Sequence, residues 1–243
     1  MPTTTVTAPA KLTVSLRVTG VRADGFHLID AEMVTLDLAD ELEFSDGDGL
    51  EVIGASGLPV PSDDDNLVRK ALRLVGRTAH VRLTKRIPAG AGLGGGSADA
   101  AAVLRWAGVD DGSLAVQLGA DVPFCVRGGR ARVTGIGEVL EPLDHVDRTF
   151  TLVTPPFGCS TPAVYRAWDG LGGPTGSGAN DLEAAALVVE PRLAEWRDRL
   201  ARDTGATPVL AGSGSTWFVE GEFPAAGLVV RTVAPGDGQG FAV

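Results

Sequence analysis

Residues 85–104 read KRIPAGAGLGGGSADAAAVL. Five glycines, Gly90, Gly92, Gly94, Gly95 and Gly96, come just before Ser97 and an alanine-rich run. Successive glycines let a backbone turn its N–H groups inward as an anion nest. A helix opening directly after such a nest adds free N–H groups and the positive end of its dipole. The alanine-rich run predicts that helix over 98–107, with Ser97 at its start and Asp99 in its first turn. The stretch reads as a phosphate cradle, and a merely flexible turn is the plain alternative.

Other glycine motifs fit less well. Gly90 to Gly95 formally matches G-x-G-x-x-G. A dinucleotide fold places that motif in its first strand-to-helix turn, with an acidic residue roughly 20 residues on at a strand end. Here a strand-rich segment comes first, and Asp110 and Asp111 fall in a glycine-flanked loop. No Lys follows the glycines, which excludes a P-loop. Neither H-R-D nor D-F-G occurs, so the protein-kinase set is absent.

Outward from this loop, HVRLTKRI predicts a strand leading into it, and Asn66 caps a predicted helix over 67–76. Residues 6–18 and 32–44 carry the β-branched and alternating apolar residues of strands. TGVRADGFHLID between them reads as a turn-rich loop, and 45–65 as hairpin and loop. Beyond the alanine-rich run come a short helix, a turn and strand pieces. The pattern restarts at Thr149 with a strand. A helix over LEAAALVV follows, then one opened by Pro191 and ended near Gly205, then a strand–glycine turn–strand over 208–221.

The chain has 243 residues and a net charge of −10. Such a charge repels nucleic acid and anionic membranes at long range, so neither is an expected partner; a local site for a small anion remains open. Only three lysines occur, and Lys11 and Lys85 both lie in Gly- or Pro-marked segments. Two distant cysteines, Cys125 and Cys159, argue against a disulfide framework and for a reducing compartment. No apolar run approaches the roughly 20 residues of a membrane span, and the N-terminus lacks a secretory pattern. The expected location is the cytoplasm.

Three separated segments line up in order: PAKLTVSLRVTGVRADGFH at 9–27, IPAGAGLGGGSADAAAVL at 87–104 and LAGSGSTWF at 210–218. Together they resemble the three motifs of the GHMP kinase superfamily, which includes galactokinase, homoserine kinase and mevalonate kinase. The strings P-A-K-L, R-A-D-G-F-H, G-L-G-G-G-S-A-D-A-A and L-G-A-D-V-P-F narrow the resemblance to the branch that phosphorylates a cytidine diphosphate-linked methylerythritol. The resemblance implies an α+β, two-domain fold: a ribosomal protein S5 domain 2-like N-terminal domain over 1–148, and a ferredoxin-like C-terminal domain over 149–243. It implies a small-molecule kinase using ATP and Mg²⁺, working in the cleft between the domains.

By the same resemblance Asp121 is the base that takes the substrate hydroxyl proton, and Lys11 the cation beside it. From the residues alone, Asp121 could equally cap a strand end. Pro88, Gly90, Gly92, Leu93, Gly94, Gly95, Gly96 and Ser97 would hold ATP, with Ser97 as a phosphate or Mg²⁺ contact. Asn66 would lie near the adenine, its cap role being an equally good account. Phe26 and Tyr165 would face the two sides of the cytosine, and His27 would hydrogen-bond to it. Phe26 stands where the family usually has Tyr, and Thr13 where it usually has Asn. Thr13, Gly212, Ser213 and Gly214 would contact the substrate, the last three near its diphosphate. The segments around 105–118 and 219–228 are shorter than the family pattern. A sister kinase of homoserine or mevalonate type, or a nucleotide-binding regulator without turnover, are the competing readings.

Overall fold

A computed structural model describes residues 3–54, 58–109, 112–174, 176, 178–236 and 241–242; Asp110 and Asp111 therefore lie outside the described residues. Two strands of unusual length open the chain, β1 over Thr4–Val21 and β2 over His27–Ser45, paired antiparallel. At about 3.3 Å per residue each would span roughly 60 Å if straight. The register slips between Pro9 and Lys11, between Thr13 and Ser15, and again between Val18 and Gly20. Pro9 has no N–H to give a ladder, which suits it to a bulge. Residues 27–30 belong to β2, not to the expected loop. A tight turn over Arg22–Phe26, closed by Arg22 N–H donating to Phe26 O at 2.7 Å, starts the return strand early.

The first sheet runs β11–β1–β2–β4–β3, with β5 and β6 branching from β2. Here β3 is Gly49–Ile53, β4 His80–Thr84, β5 Arg130–Gly135, β6 Val139–Leu143 and β11 Phe241–Ala242. β3 pairs parallel with β4 instead of forming the expected hairpin. The crossover between them carries α1, Leu67–Leu74, which starts one residue after its cap Asn66. α2 spans Gly95–Trp106, and α3 and α4 span Gly112–Ala115 and Val122–Arg127. Ala98, Ala100, Ala101 and Ala102 are fully buried, so α2 packs closely between α1, α4 and β1.

A second, four-stranded sheet is ordered β10–β7–β9–β8. Its strands are β7 Thr149–Val153, β8 Val209–Leu210, β9 Trp217–Glu220 and β10 Leu228–Arg231. Helices α5 (Thr161–Gly170), α6 (Glu183–Val189) and α7 (Leu193–Thr204) pack with it. α7 ends at Gly205 in the left-handed conformation, as its sequence predicts. The distal ends of β1 and β2, through Leu16, Val18, Ile29 and Ala31, join the core of α5–α7. A third apolar cluster joins Ala10 and Leu12 of β1 and Leu36 of β2 to Phe150, Leu152 and Phe218 of the second sheet. Leu93 of the glycine loop is buried in that cluster. The long hairpin thus belongs to both halves, and the cleft lies along its middle.

Candidate active site

The cleft encloses a cavity of about 820 Å³, within the range of ligand sites. The glycine loop forms one wall and is pinned from two sides. Lys11 N–H donates to Leu93 O at 3.0 Å, and Thr216 N–H donates to Ala91 O at 3.1 Å. Gly92 has φ +78°, and a Cβ there would lie 2.4 Å from Ala211 O and 2.8 Å from Gly214 O, so no side chain fits. Gly94, at φ +70°, is the residue before α2. The helix therefore begins at Gly95, and Ser97 is its third residue, not its start. The first helical bond runs from Ala98 N–H to Gly94 O, leaving the N–H groups of Gly95, Gly96 and Ser97 without intrahelical acceptors. Glycine at the first two of these positions lets an anion reach the backbone. Pro88 and Gly90 also line the cavity. Leu58 N–H donates to Ala89 O at 3.2 Å, and its side chain covers Gly90.

Asn66 faces the same cavity, but its polar atoms are engaged: Oδ1 accepts from Val68 N–H at 2.8 Å and Nδ2 donates to Pro61 O at 2.7 Å. The cap bond fixes this side chain at the cavity wall.

Asp121 precedes a helix, not the end of a strand, and occupies the N-cap position of α4 without making the cap bond. Its Oδ2 instead lies 3.3 Å from Lys11 Nζ. The carboxylate is 32% exposed and the lysine 7%, so the pair sits at the cavity wall with the carboxylate reachable. Lys11 Nζ also donates to Thr13 Oγ1 at 3.0 Å. Thr13 is buried, and its hydroxyl orients the lysine. The bulges on either side of this segment set both side chains toward the cleft.

The third glycine segment closes over the same spot. A Cβ on Gly212 would lie 3.6 Å from Lys11 Nζ. Ser213 Oγ is 2.8 Å from Thr161 Oγ1 at the start of α5. Both residues line the cavity; Gly214 does not, because it faces Leu210 and Cys159 while its carbonyl backs Gly92. Asn180, which no sequence motif singles out, holds this turn: its Nδ2 donates to Leu210 O at 2.8 Å and Gly212 O at 2.7 Å.

Also on the cavity wall, His27 lies 4.6 Å from the Tyr165 ring and 5.5 Å, edge-on, from Trp168. Phe26 is exposed beside them, with the Arg22 guanidinium 5.5 Å from its ring centre. Burial, reinforced by the Asp121 charge, pushes the Tyr165 hydroxyl up to about 12, so it stays neutral. Burial also pushes the Cys125 thiol up to about 12, with Asp121 adding to the effect, which leaves no reactive thiolate there.

A buried charge cluster beneath the cradle was not foreseen. Lys85 Nζ donates to Asp40 Oδ2 at 2.5 Å and to Asp99 Oδ2 at 2.7 Å. Asp40 Oδ1 accepts from the N–H groups of Arg86 and Ile87, at 2.5 and 2.8 Å. Asp99 lies beyond the helix's first turn and is 3% exposed, and its Oδ1 has no hydrogen-bond partner among the described residues. It is therefore a partner of Lys85, not the dipole-complementing carboxylate expected. Burial pushes its carboxyl up to about 7; Lys85 opposes that rise and Asp40 adds to it.

Burial makes the folded chain hold this proton to a higher pH than the unfolded chain does. Stability from this group is therefore greatest at low pH and falls as pH rises from the ordinary carboxylate range toward neutrality. Asp99→Asn removes that slope while its amide oxygen still accepts from Lys85. Urea unfolding at pH 5, 6, 7 and 8 reads the difference, and parallel curves for the two proteins would refute it.

Over residues 66–129 the chain matches the family model described as GHMP kinases N terminal domain. That defines the class: small-molecule kinases of the GHMP type. It is 38% identical over 232 residues to a 4-diphosphocytidyl-2-C-methyl-D-erythritol kinase of Paracoccus denitrificans, covering 87% of this chain and 84% of that one. It is 38% identical to the enzyme of the same name from Moorella thermoacetica, covering 90% of each. A crystal structure of 4-(cytidine 5'-diphospho)-2C-methyl-D-erythritol kinase superposes with a TM-score of 0.74 at 33% identity, over 95% of this chain and 100% of that one. Homoserine kinase from Cytophaga hutchinsonii shares the fold, with a TM-score of 0.59 at 16% identity. The chain belongs to the 4-diphosphocytidyl-2-C-methyl-D-erythritol kinase family.

Proposed function

We propose that this protein transfers the terminal phosphoryl group of ATP to the 2-hydroxyl of 4-diphosphocytidyl-2-C-methyl-D-erythritol, giving the 2-phosphate and ADP. This is a step of the non-mevalonate route to isoprenoids. The observation that carries the mechanism is the Lys11–Asp121 pair, 3.3 Å apart, at the wall of a cavity that also holds the glycine cradle. Asp121 accepts the hydroxyl proton. Lys11, steadied by Thr13, offsets negative charge that builds on the oxygens in transfer. The free N–H groups of Gly95, Gly96 and Ser97 hold the phosphates. The Phe26, His27 and Tyr165 rings supply flat faces for a pyrimidine, and Gly212, beside Lys11, and Ser213, against Thr161, would face its diphosphate.

Among the described residues no group of three His, Cys, Asp or Glu could cage a metal. Mg²⁺ commonly takes most of its ligands from phosphates and water, which fits a site with Ser97 as its protein contact. When bound it neutralises phosphate charge. We assign the sheet holding β1–β6 to a domain over 1–148 and the sheet β7–β10 to one over 149–243, with β11 returning to β1. The proposed compartment is the cytoplasm, on the unbridged Cys125 and Cys159.

Coupled ADP release with ATP, Mg²⁺ and the cytidine-linked acceptor tests the reading, and CMP should compete with the acceptor. Turnover of homoserine or mevalonate in its place would sink the cytidine assignment. ATP binding without turnover of any acceptor would sink the kinase.

A further inference from the structure

His27 opens β2, and its Nε2 lies 2.8 Å from Asp169 Oδ1 on α5. A carboxylate can only accept, so Nε2 carries a hydrogen. In the neutral ring Nδ1 is then a bare lone pair. No other hydrogen bond to this ring is found among the described residues. The ring cannot readily turn to exchange its nitrogens. Tyr165 lies against one face at 4.6 Å, and Trp168 meets it edge-on at 5.5 Å. Tyr165 and Asp169 are four residues apart on α5, hence one turn apart on one face. One helix therefore supplies the aromatic contact and sets the histidine's tautomer.

That matters for which pyrimidine can bind. Cytosine presents an amino donor at its 4-position, where uracil presents a carbonyl acceptor. A bare Nδ1 pairs with the first and opposes the lone pairs of the second. We propose that Asp169 is a specificity-determining residue: by taking the Nε2 hydrogen it keeps His27 Nδ1 an acceptor, matched to cytosine and mismatched to uracil. Asp169 also lines the cavity, but in this role it acts through His27. The inference rests on the proposed function, since it needs a cytidine-bearing acceptor in this cavity. Sites that hydrogen-bond a substrate group reject an analogue of the wrong polarity far more strongly than apolar pockets reject a changed shape. Half-exposed as Asp169 is, a preference of at least about tenfold for cytidine is expected.

The experiment measures kcat/KM by ADP release for the cytidine- and uridine-linked forms of the acceptor. It compares the wild type with Asp169→Ala and Asp169→Glu. The wild type should prefer the cytidine form. Asp169→Ala frees both tautomers, so the ratio should fall about fivefold or more, with an absolute gain for the uridine form. Asp169→Glu restores an acceptor-only partner and should recover much of the ratio. The carboxylate is exposed, so the variants should unfold at the wild-type temperature. Equal losses on both acceptors, leaving the ratio unchanged, would mean Asp169 is merely structural and overturn the inference. A wild type that uses both acceptors equally well would overturn it alone. A wild type inactive on both would overturn the proposed function with it.

Discussion

Asp121→Asn is expected to lower kcat about 10²–10⁴-fold, the usual contribution of a positioned general base, and to leave ATP affinity unchanged. Asn keeps the shape of the side chain and removes its capacity to take a proton. The fold should tolerate it. Asp121 makes no cap bond to α4, its carboxylate is partly exposed, and the Asn amide oxygen can still accept from Lys11. Lys11 keeps its bond to Thr13. Steady-state ADP release gives kcat, and calorimetric titration with ATP gives the affinity. A kcat within threefold of wild type would remove Asp121 from the chemistry. Loss of ATP binding along with activity would mean the residue shapes the cradle instead.

The other large effect concerns stability. Lys85→Met leaves the Asp40 and Asp99 carboxyls buried without their shared cation. Breaking a buried pair by removing one partner costs about 3–5 kcal/mol. For a chain of this size that is a fall in Tm on the order of 10 °C. Burial alone would lower the pKa of the Lys85 ammonium, yet Asp99 and Asp40 more than offset it and the net shift is upward, so the lysine is charged at any pH where the protein works. Asp99→Asn, which keeps an acceptor for Lys85, should cost much less. Thermal unfolding of the two variants beside the wild type decides the matter. If Lys85→Met proves no worse than Asp99→Asn, the cluster is not the brace between β4 and α2 that its geometry describes.

The elements most legible in the sequence are those with local signals. Asn66 caps α1, Gly205 ends α7, and the alanine-rich run is α2, because each rests on bonds between residues a turn apart. The helix at Val122–Arg127 was not foreseen. VPFCVR is short and apolar, without a period to separate helix from strand. β3 was read into a hairpin because glycine and aspartate punctuate that region, and nothing local tells a parallel partner from an antiparallel one. Lys85 stood out only as one of three lysines, and Asp99 only as a helix-start carboxylate. Their pairing with Asp40 joins β2, the end of β4 and α2, and no spacing in the chain encodes it.

The same division runs through the site. The glycine cradle can be read directly from residues 90–97, since its function lies in backbone N–H groups that only glycine leaves open. Family motifs named Lys11, Asp121, His27 and Tyr165 one by one. The fold alone brings Lys11 to within 3.3 Å of Asp121, turns Thr13 onto Lys11, and sets Asp169 against His27. Those contacts depend on bulges in β1, on where α4 begins, and on the packing of α5 against the β1–β2 hairpin. Each is a balance of burial and hydrogen bonding across segments far apart in the chain, which local sequence does not carry.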